Sequence, residues 1–547
     1  MSVLRAENKG FSLFTLLAGL IIGLPIFVLC FSFLSVDTEV WMHLASTVLS
    51  AYIINSLVLA LGVGLGATLL GTYLAYCVVH YDFAGKKVLQ ALILLPLAMP
   101  AYIIAYTYTG LLDFAGPLQS YIRESFELSG QQYYFPEVRS LGGAIVMMSL
   151  VLYPYVYILA RTAFSEQSQK FKEVSELAGI SAFEHFIKVS LPLARPAILT
   201  GAALAMMEAL ADFGTVEYFG VSTFTTGIYR TWFGMGDINA ASQLSGLLCL
   251  FVFVLLILEK SSRKSAQSYS SRQGQGSMAK SLSMPKGILV LLLCSLPLIF
   301  GFVIPFTQLG IWAWSFSDAS SFSDYASNAF NSATVALIGT VLIVLLALLF
   351  SYAKRLQPTK ANRFVVQFVS LGYAMPGTVI AIGVLVPLGW LDIKLNLFTS
   401  TFFGFQPGLV LSGTIAALIF AYIVRFMSVA LHNTEAGIQR IKPSMDEASR
   451  ALGDSKLQTL TRVHLPLLSA SLLSACLLVF VDILKELPAT LVLRPFNFNT
   501  LAVKAFELAS DERLIEAALP SITIVLVGIL PVILLTATLN KIEKSHA

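Results

Sequence analysis

Glu173-Val-Ser-Glu-Leu-Ala-Gly179, continued by Val189-Ser-Leu-Pro192, recurs as Glu447-Ala-Ser-Arg-Ala-Leu-Gly453, continued by Val463-His-Leu-Pro466. Glutamate to glycine spans six residues in each copy, glycine to proline thirteen, and the copies lie 274 residues apart. Both are polar islands in a chain that is 56% hydrophobic and only 12% charged, about half the charge of a soluble globular protein. Many apolar runs exceed the roughly 20 residues a helix needs to cross a bilayer. A soluble protein with a greasy core would show shorter, amphipathic runs, so the chain reads as an all-α polytopic membrane protein.

Twelve spans are expected, near 11–34, 48–79, 88–112, 141–163, 194–219, 243–259, 287–311, 331–353, 364–390, 408–431, 467–493 and 516–539. An even number puts both tails on one side. With that side inside, tails and inner loops carry 27 Lys and Arg against six on the outer loops, a bias that orients the termini to the cytoplasm. The first span reads as an anchor, since Pro25 and the run from Cys30 offer no convincing cleavage site. The five cysteines sit singly in apolar spans and read as packing residues.

The islands are one part of a longer repeat. Asn55-Ser56 returns as Asn331-Ser332 and Ala98-Met-Pro100 as Ala374-Met-Pro376, both at an offset of 276. Glu208 and Asp212 match Asp482 and Glu486, Thr226 matches Thr500 and Asp237 matches Asp511, all at 274. The expected organisation is a first repeat over 1–260, a linker over 261–286 rich in Ser, Gln, Gly, Lys and Arg, and a second repeat over 287–547. Six spans in each half give both copies one orientation, the parallel kind of repeat. Pro100 and Pro376 are expected to kink spans three and nine. The outer segments 113–140, 220–242 and 494–515 are long enough to meet a partner or simply to connect spans.

Each island is expected to fold as helix, turn and helix, with loops over about 165–192 and 439–466. Gly179 and Gly453 suit a turn of positive φ, and Pro192 and Pro466 suit the first turn of the following span. Ser444-Met-Asp-Glu447 fits a capping box, and Glu447 suits the positive end of a helix dipole. His80, His185, His432 and His464 lie at span edges and read as interfacial, not as metal ligands.

Glu-Ala-Ala, three residues, glycine, nine residues, an aliphatic residue, any residue and Leu-Pro is a pattern that resembles the signature loop of type I ABC-importer permeases. Glu173, Gly179, Leu191 and Pro192 match it, as do Glu447, Gly453, Leu465 and Pro466, with departures at Val174-Ser175 and Ser449. The resemblance implies that residues 173–190 and 447–464 are coupling helices that seat in two copies of an ATPase subunit. The chain has no G-x-x-x-x-G-K-[ST] stretch; Gly274-Gln-Gly276-Ser-Met-Ala-Lys280 has the wrong spacing and no preceding strand. ATP and Mg are therefore expected on the partner, with no cofactor and no enzymatic activity on this chain.

Glu208 and Asp212 are four apart, as are Asp482 and Glu486, so each pair is expected on one helix face. Each first acid lies sixteen residues past its proline, about 24 Å along a helix and beyond the middle of a core about 30 Å thick. Carboxylates at that depth usually face a cavity or partner, and four along one path suit a cation. The other reading is structural: Lys485 and Arg494 neutralise some of them, or they cap broken helices near Gly214 and Pro488. The segments from Asp482 to Thr500 and from Glu208 to Gly220 are similar to fused permeases of ferric-iron importers. That likeness implies a subunit of the bacterial inner membrane that takes ferric iron from a periplasmic binding protein, with Glu208, Asp212, Asp482, Lys485 and Glu486 as pathway candidates and no nucleic-acid partner. Fused permeases for thiamine or for phosphonates such as 2-aminoethylphosphonate share the architecture, and a secondary transporter driven by an ion gradient is the reading from another class.

Overall fold

Backbone amides in lipid have no partner but the backbone itself, so long apolar stretches close as helices. The computed structural model describes residues 2–35, 38–129, 133–167, 175, 177, 179–266, 279–315 and 319–546. Among these residues eleven helices are long and apolar enough to cross a membrane, from Leu13–Leu34 to Leu514–Ala537. A twelfth candidate is a broken pair, Lys86–Ala98 with Ala101–Phe126, bent by 94°.

The break falls at the first Ala-Met-Pro. Met99 is extended and Pro100 caps the next helix, Ala101–Leu112. The second copy behaves alike: Met375 is extended and Pro376 caps Gly377–Phe403. The sequence placed a single kinked span over 364–390. The structure instead makes Lys360–Val369 a separate amphipathic helix and starts the span at Gly377. Proline offers no amide and pushes the preceding residue out of the helical region, which ends one helix and starts another.

Two compact units share the chain, Met1–His43 with Ile228–Cys249 and Asp318–Lys504, and Leu44–Gly227 with Leu250–Ser317 and Ala505–Ala547. These units are not the two sequence repeats, because the first span of each repeat packs with the body of the other. In the first unit, helix Ser2–Phe31 lies on Lys360–Val369 and Gly377–Phe403. Thr15 Oγ1 donates to Asn362 Oδ1 at 3.1 Å and the Phe27 ring lies 5.6 Å from that of Phe368. In the second unit Tyr108 OH donates to the carbonyl of Phe300 at 2.6 Å, and Trp312 crowds Gly110. Of the linker, residues 267–278 lie outside the described residues. Its exit is held by a parallel strand pair, Tyr81–Asp82 with Lys280–Ser281.

The repeated Asn-Ser pairs have a structural use. Asn55 Nδ2 donates to the carbonyl of Ser222 at 2.9 Å, and Ser56 Oγ accepts from the amide of Phe224 at 3.1 Å. Asn331 Nδ2 donates to the carbonyl of Asn499 at 3.2 Å, and Ser332 Oγ accepts from the amide of Leu501 at 2.7 Å. Each pair pins the loop that follows a broken span. These bonds also correct the register beyond the loop. Helices Phe224–Phe233 and Leu501–Ser510 correspond at an offset of 277, because the second copy carries a longer turn after Arg494. Thr500 is thus the counterpart of Thr223, not of Thr226, and Asp511 falls out of register with Asp237.

Ser332→Ala leaves the buried amide of Leu501 without its acceptor. Its cost is about 1–3 kcal/mol, read as a lower thermal unfolding midpoint of the detergent-purified protein, whereas Ser469→Ala at an exposed position leaves the midpoint in place.

Candidate functional site

The second island is fully described and is built as a knob. Pro443 opens helix Pro443–Ala451, Gly453 turns the chain at φ +91°, and Lys456–Thr459 follows. A π turn over Leu460–His464 then leads without interruption into the span helix Leu465–Leu484. Pro466 supplies no amide and its ring crowds the carbonyl of Arg462, four residues back. A widened turn accommodates both demands while keeping the helix continuous.

Polar contacts tie the knob together and to its base. Asp446 accepts from Arg355 Nε at 2.8 Å and Nη2 at 3.2 Å, and lies 2.7 Å from His464 Nε2. Tyr352 OH donates to the carbonyl of Lys456 at 2.6 Å. Beneath, Leu348, Tyr352, Ile438, Ile441, Leu460 and Leu468 form one buried cluster. Burial disfavours the charged form of Asp446, but the hydrogen bonds from Arg355 and His464 outweigh it and hold its carboxyl below the usual range. The contribution of a depressed acid is present above its unfolded pKa near about 4 and is lost as pH falls through the lowered folded value.

The first island repeats much of this. Glu173 lies outside the described residues; Ser175, Leu177 and Gly179 onward are described. Gly179 turns the chain at φ +70°, and a π turn over Phe186–Ser190 leads into Leu191–Ala211. Ser175 Oγ lies 2.8 Å from His185 Nδ1, as Ser449 Oγ lies 3.0 Å from Thr459 Oγ1 at the same offset of 274. The tips present exposed leucines, Leu177 and Leu452. Its base is aromatic: Tyr76 meets His80, Phe164 and Phe186. Glu447, Pro192 and Pro466 are exposed.

The capping box expected at Ser444–Glu447 does not form. Lys442 caps that helix without a side-chain bond, because Pro443, with its φ already helical, starts it two residues earlier. Capping boxes occur at the second helix of each island instead. Ser455 pairs with Gln458, and Ser181 with Glu184 through amide and hydroxyl contacts of 3.2–3.3 Å. The S-x-x-E/Q signal for both was present in the sequence at the constant offset.

The acids divide into two kinds. Helix Leu191–Ala211 ends at Asp212, which is extended, so Glu208 and Asp212 do not share one helix. Asp212 accepts from the amides of Thr215 and Val216 at 2.9 and 3.2 Å and from Thr215 Oγ1 at 3.0 Å, capping Gly214–Tyr218. Glu486 likewise lies beyond helix Leu465–Leu484 and caps Pro488–Leu493. It accepts from the amides of Ala489 and Thr490 at 3.0 Å each and from Thr490 Oγ1 at 2.7 Å. Helix ends inside the membrane leave amides unpaired, and an acid is the strongest acceptor for them. Glu486 also pairs with Arg425 Nη1 at 3.3 Å. A Cβ at Gly377 would stand 2.7 Å from Glu486 Oε1 and nearer still to Arg425, so only glycine leaves room for the pair. At the offset of 274 the counterpart of Arg425 is Val151. Asp482 pairs with Lys485 at 2.8 Å. Glu208 lies within its helix, partly exposed. Among the described residues no group of three or more His, Cys, Asp or Glu could hold a metal ion.

With this geometry in place, comparison with known proteins is decisive for the family. Residues 67–258 and 344–544 each match the model of the binding-protein-dependent transport system inner membrane component. The chain belongs to this family. The paired match places one copy of the family's module, island included, in each half of the chain. An Fe(3+)-transport system permease protein of Haemophilus influenzae is 26% identical over 94% of this chain and 96% of its own length. A putative ferric transport system permease protein of the same organism is 23% identical over 83% of this chain and 72% of its own length. A molybdenum transport system permease protein, also from Haemophilus influenzae, is 26% identical over 41% of this chain and 99% of its own length.

Arg425→Met strands the buried Glu486 carboxylate and is expected to cost about 3–5 kcal/mol, measured as a fall in unfolding midpoint and membrane yield. Adding Glu486→Gln recovers most of the loss, because the amide oxygen still caps the helix; equal losses in single and double variants would mean the charge pair carries no stability.

Proposed function

We propose that this chain is the membrane-spanning subunit of an ATP-binding-cassette importer for ferric iron. The observation that carries the reading is the match of both repeats, end to end, to a permease named for Fe(3+) transport. The molybdenum relative aligns with only 41% of the chain, the share expected of a general family likeness.

In this reading the islands, Glu173 to Pro192 and Glu447 to Pro466, face the cytoplasm and seat in two copies of an ATPase subunit. That subunit holds ATP and Mg, in keeping with the missing phosphate loop. Exposed leucines at the tips, rigid turns at Gly179 and Gly453 and unbroken helices into the membrane support it. Closure of the ATPases tilts each knob with its span and switches access from one side to the other. A periplasmic binding protein delivers the cation at the outer face. Both termini lie inside, as the charge bias requires; Arg425, counted in that bias, is a membrane residue whose loss from the tally leaves the sign unchanged.

Glu208 and Asp482 are the acids we assign to transient contact with the cation. Asp212 and Glu486 are committed to helix caps, and Lys485 offsets Asp482.

Gly179→Asp and Gly453→Asp each place a side chain on a left-handed turn. The expected outcome is normal membrane insertion with radiolabelled ferric-iron uptake reduced by about tenfold or more and ATP hydrolysis no longer tied to uptake; normal uptake in both variants would refute the coupling role. Cells deleted for this chain lose ferric-iron uptake, and retained iron uptake with lost thiamine or phosphonate uptake would overturn the substrate. Glu208→Gln lowers uptake more than protein level, whereas Glu486→Gln lowers the two together.

A further inference from the structure

The two knobs carry different residues at one fastening point. In the second, the guanidinium of Arg355, at the end of helix Ala319–Leu356, makes four hydrogen bonds with its side chain only 14% exposed. Two go to the coupling helix, at Asp446 Oδ2 and Oδ1. The other two go to the carbonyls of Ile438 and Ile441, at 2.7 and 3.0 Å, where helix Ile415–Arg440 ends. His464, fully buried in the π turn below the next span, meets the same Asp446. One side chain thus joins the end of one span, the end of a second and the coupling helix, and Asp446 carries the link on to the base of a third. At the repeat offsets of 276 and 274 the counterparts of Arg355, Asp446 and His464 are Val79, Lys172 and Ser190. That set contains no acid and cannot form the same clamp; Lys172 lies outside the described residues.

We propose that Arg355 is a positioning residue for energy coupling: it clamps the second coupling helix to the spans that end and begin around it, so that a push on this knob moves three spans as one body. In the first repeat Val79, Lys172 and Ser190 stand at these three positions, so a clamp of this composition belongs to the second knob. Planar, bidentate geometry explains why arginine stands here and why lysine is no substitute. The clamp does not touch the transported cation. The inference rests on the reading that the islands engage ATPase subunits, and the experiment separates the two.

The first measurement uses this chain alone, in a background free of native cysteines, with a nitroxide on Leu452→Cys at the exposed tip. Arg355→Gln and Asp446→Asn are both expected to raise label mobility, while Arg355→Lys, keeping the charge but not the fork, gives an intermediate spectrum. The second measurement uses the complete transporter in proteoliposomes and reads ATP hydrolysed per radiolabelled ferric ion moved. Arg355→Gln is expected to raise that ratio about three- to thirtyfold, and the charge swap Arg355→Asp with Asp446→Arg to bring it part of the way back. An immobile tip in Arg355→Gln, or a mobile tip with an unchanged ratio while Gly453→Asp raises it, overturns the clamp alone. A ratio unmoved by Gly453→Asp as well overturns the underlying reading of the knobs. A fall in protein level and transport by the same factor, with the ratio unchanged, reduces Arg355 to a structural residue.

Discussion

Everything in this molecule hangs on a backbone constraint at two prolines. Pro192 and Pro466 cannot donate to the carbonyls of Lys188 and Arg462, and their rings crowd those same carbonyls. A kink or a break would let each knob swing freely from its span. Both repeats instead absorb the proline in a π turn, over Phe186–Ser190 and Leu460–His464, and the helix runs on from knob to membrane. The continuous stretches Phe183–Ala211 and Lys456–Leu484 are each 29 residues, about 43 Å of helix. π turns are rare and concentrate at functional positions; finding one at the same place in both halves ties it to what the halves have in common.

At the far end of each helix the chain does break, and there the solution is an acid. Asp212 and Glu486 accept the orphaned amides of the short helices that follow. One half adds a cation, Arg425, in a niche opened by Gly377; the other has Val151 at that position, and among the described residues no cation pairs with Asp212. The halves therefore share a backbone plan but not a charge plan. With Asp482 offset by Lys485 and Asp212 and Glu486 engaged as caps, Glu208 is the one of these four acids with neither a cation partner nor a capping role among the described residues. The same divergence appears at the knobs: Tyr76 and Tyr352 correspond at 276 and both lie at a knob's base, whereas Arg355 has Val79 as its counterpart. Fusion of the two copies in one chain permits such specialisation, since each position in each copy varies on its own.

The sequence disclosed what depends on local pattern. Twelve apolar runs, an offset held over most of both halves and glycines at the turns of both islands were all legible, because span length, spacing and positive φ are properties of neighbours in the chain. Contacts between distant residues were not. Nothing near Arg355 announces Asp446, 91 residues on, and nothing in the first span announces Asn362. The packing of each first span with the other repeat's body is likewise a choice of partner that hydrophobicity alone does not make, since all partners offer similar apolar faces. The errors were local competitions. Ser444 lost the cap to Lys442 because Pro443 starts the helix, and the four-residue spacing of the acids suggested one helix where a break at Asp212 and Glu486 served the amides better. The insertion after Arg494 shifted the register of everything that follows it in the second repeat, which simple counting at 274 could not see.

Coupling through the knobs requires that knob and span move as one rigid piece. Spin labels at Leu457 and Leu473, both exposed on the helix Lys456–Leu484 and sixteen residues or about 24 Å apart, bracket the π turn. Their distance, measured by pulsed electron resonance in the complete transporter without nucleotide and with trapped ATP, is predicted to stay the same and narrow in both states. A shift or broadening on ATP binding would show that the π turn bends, and would contradict the lever.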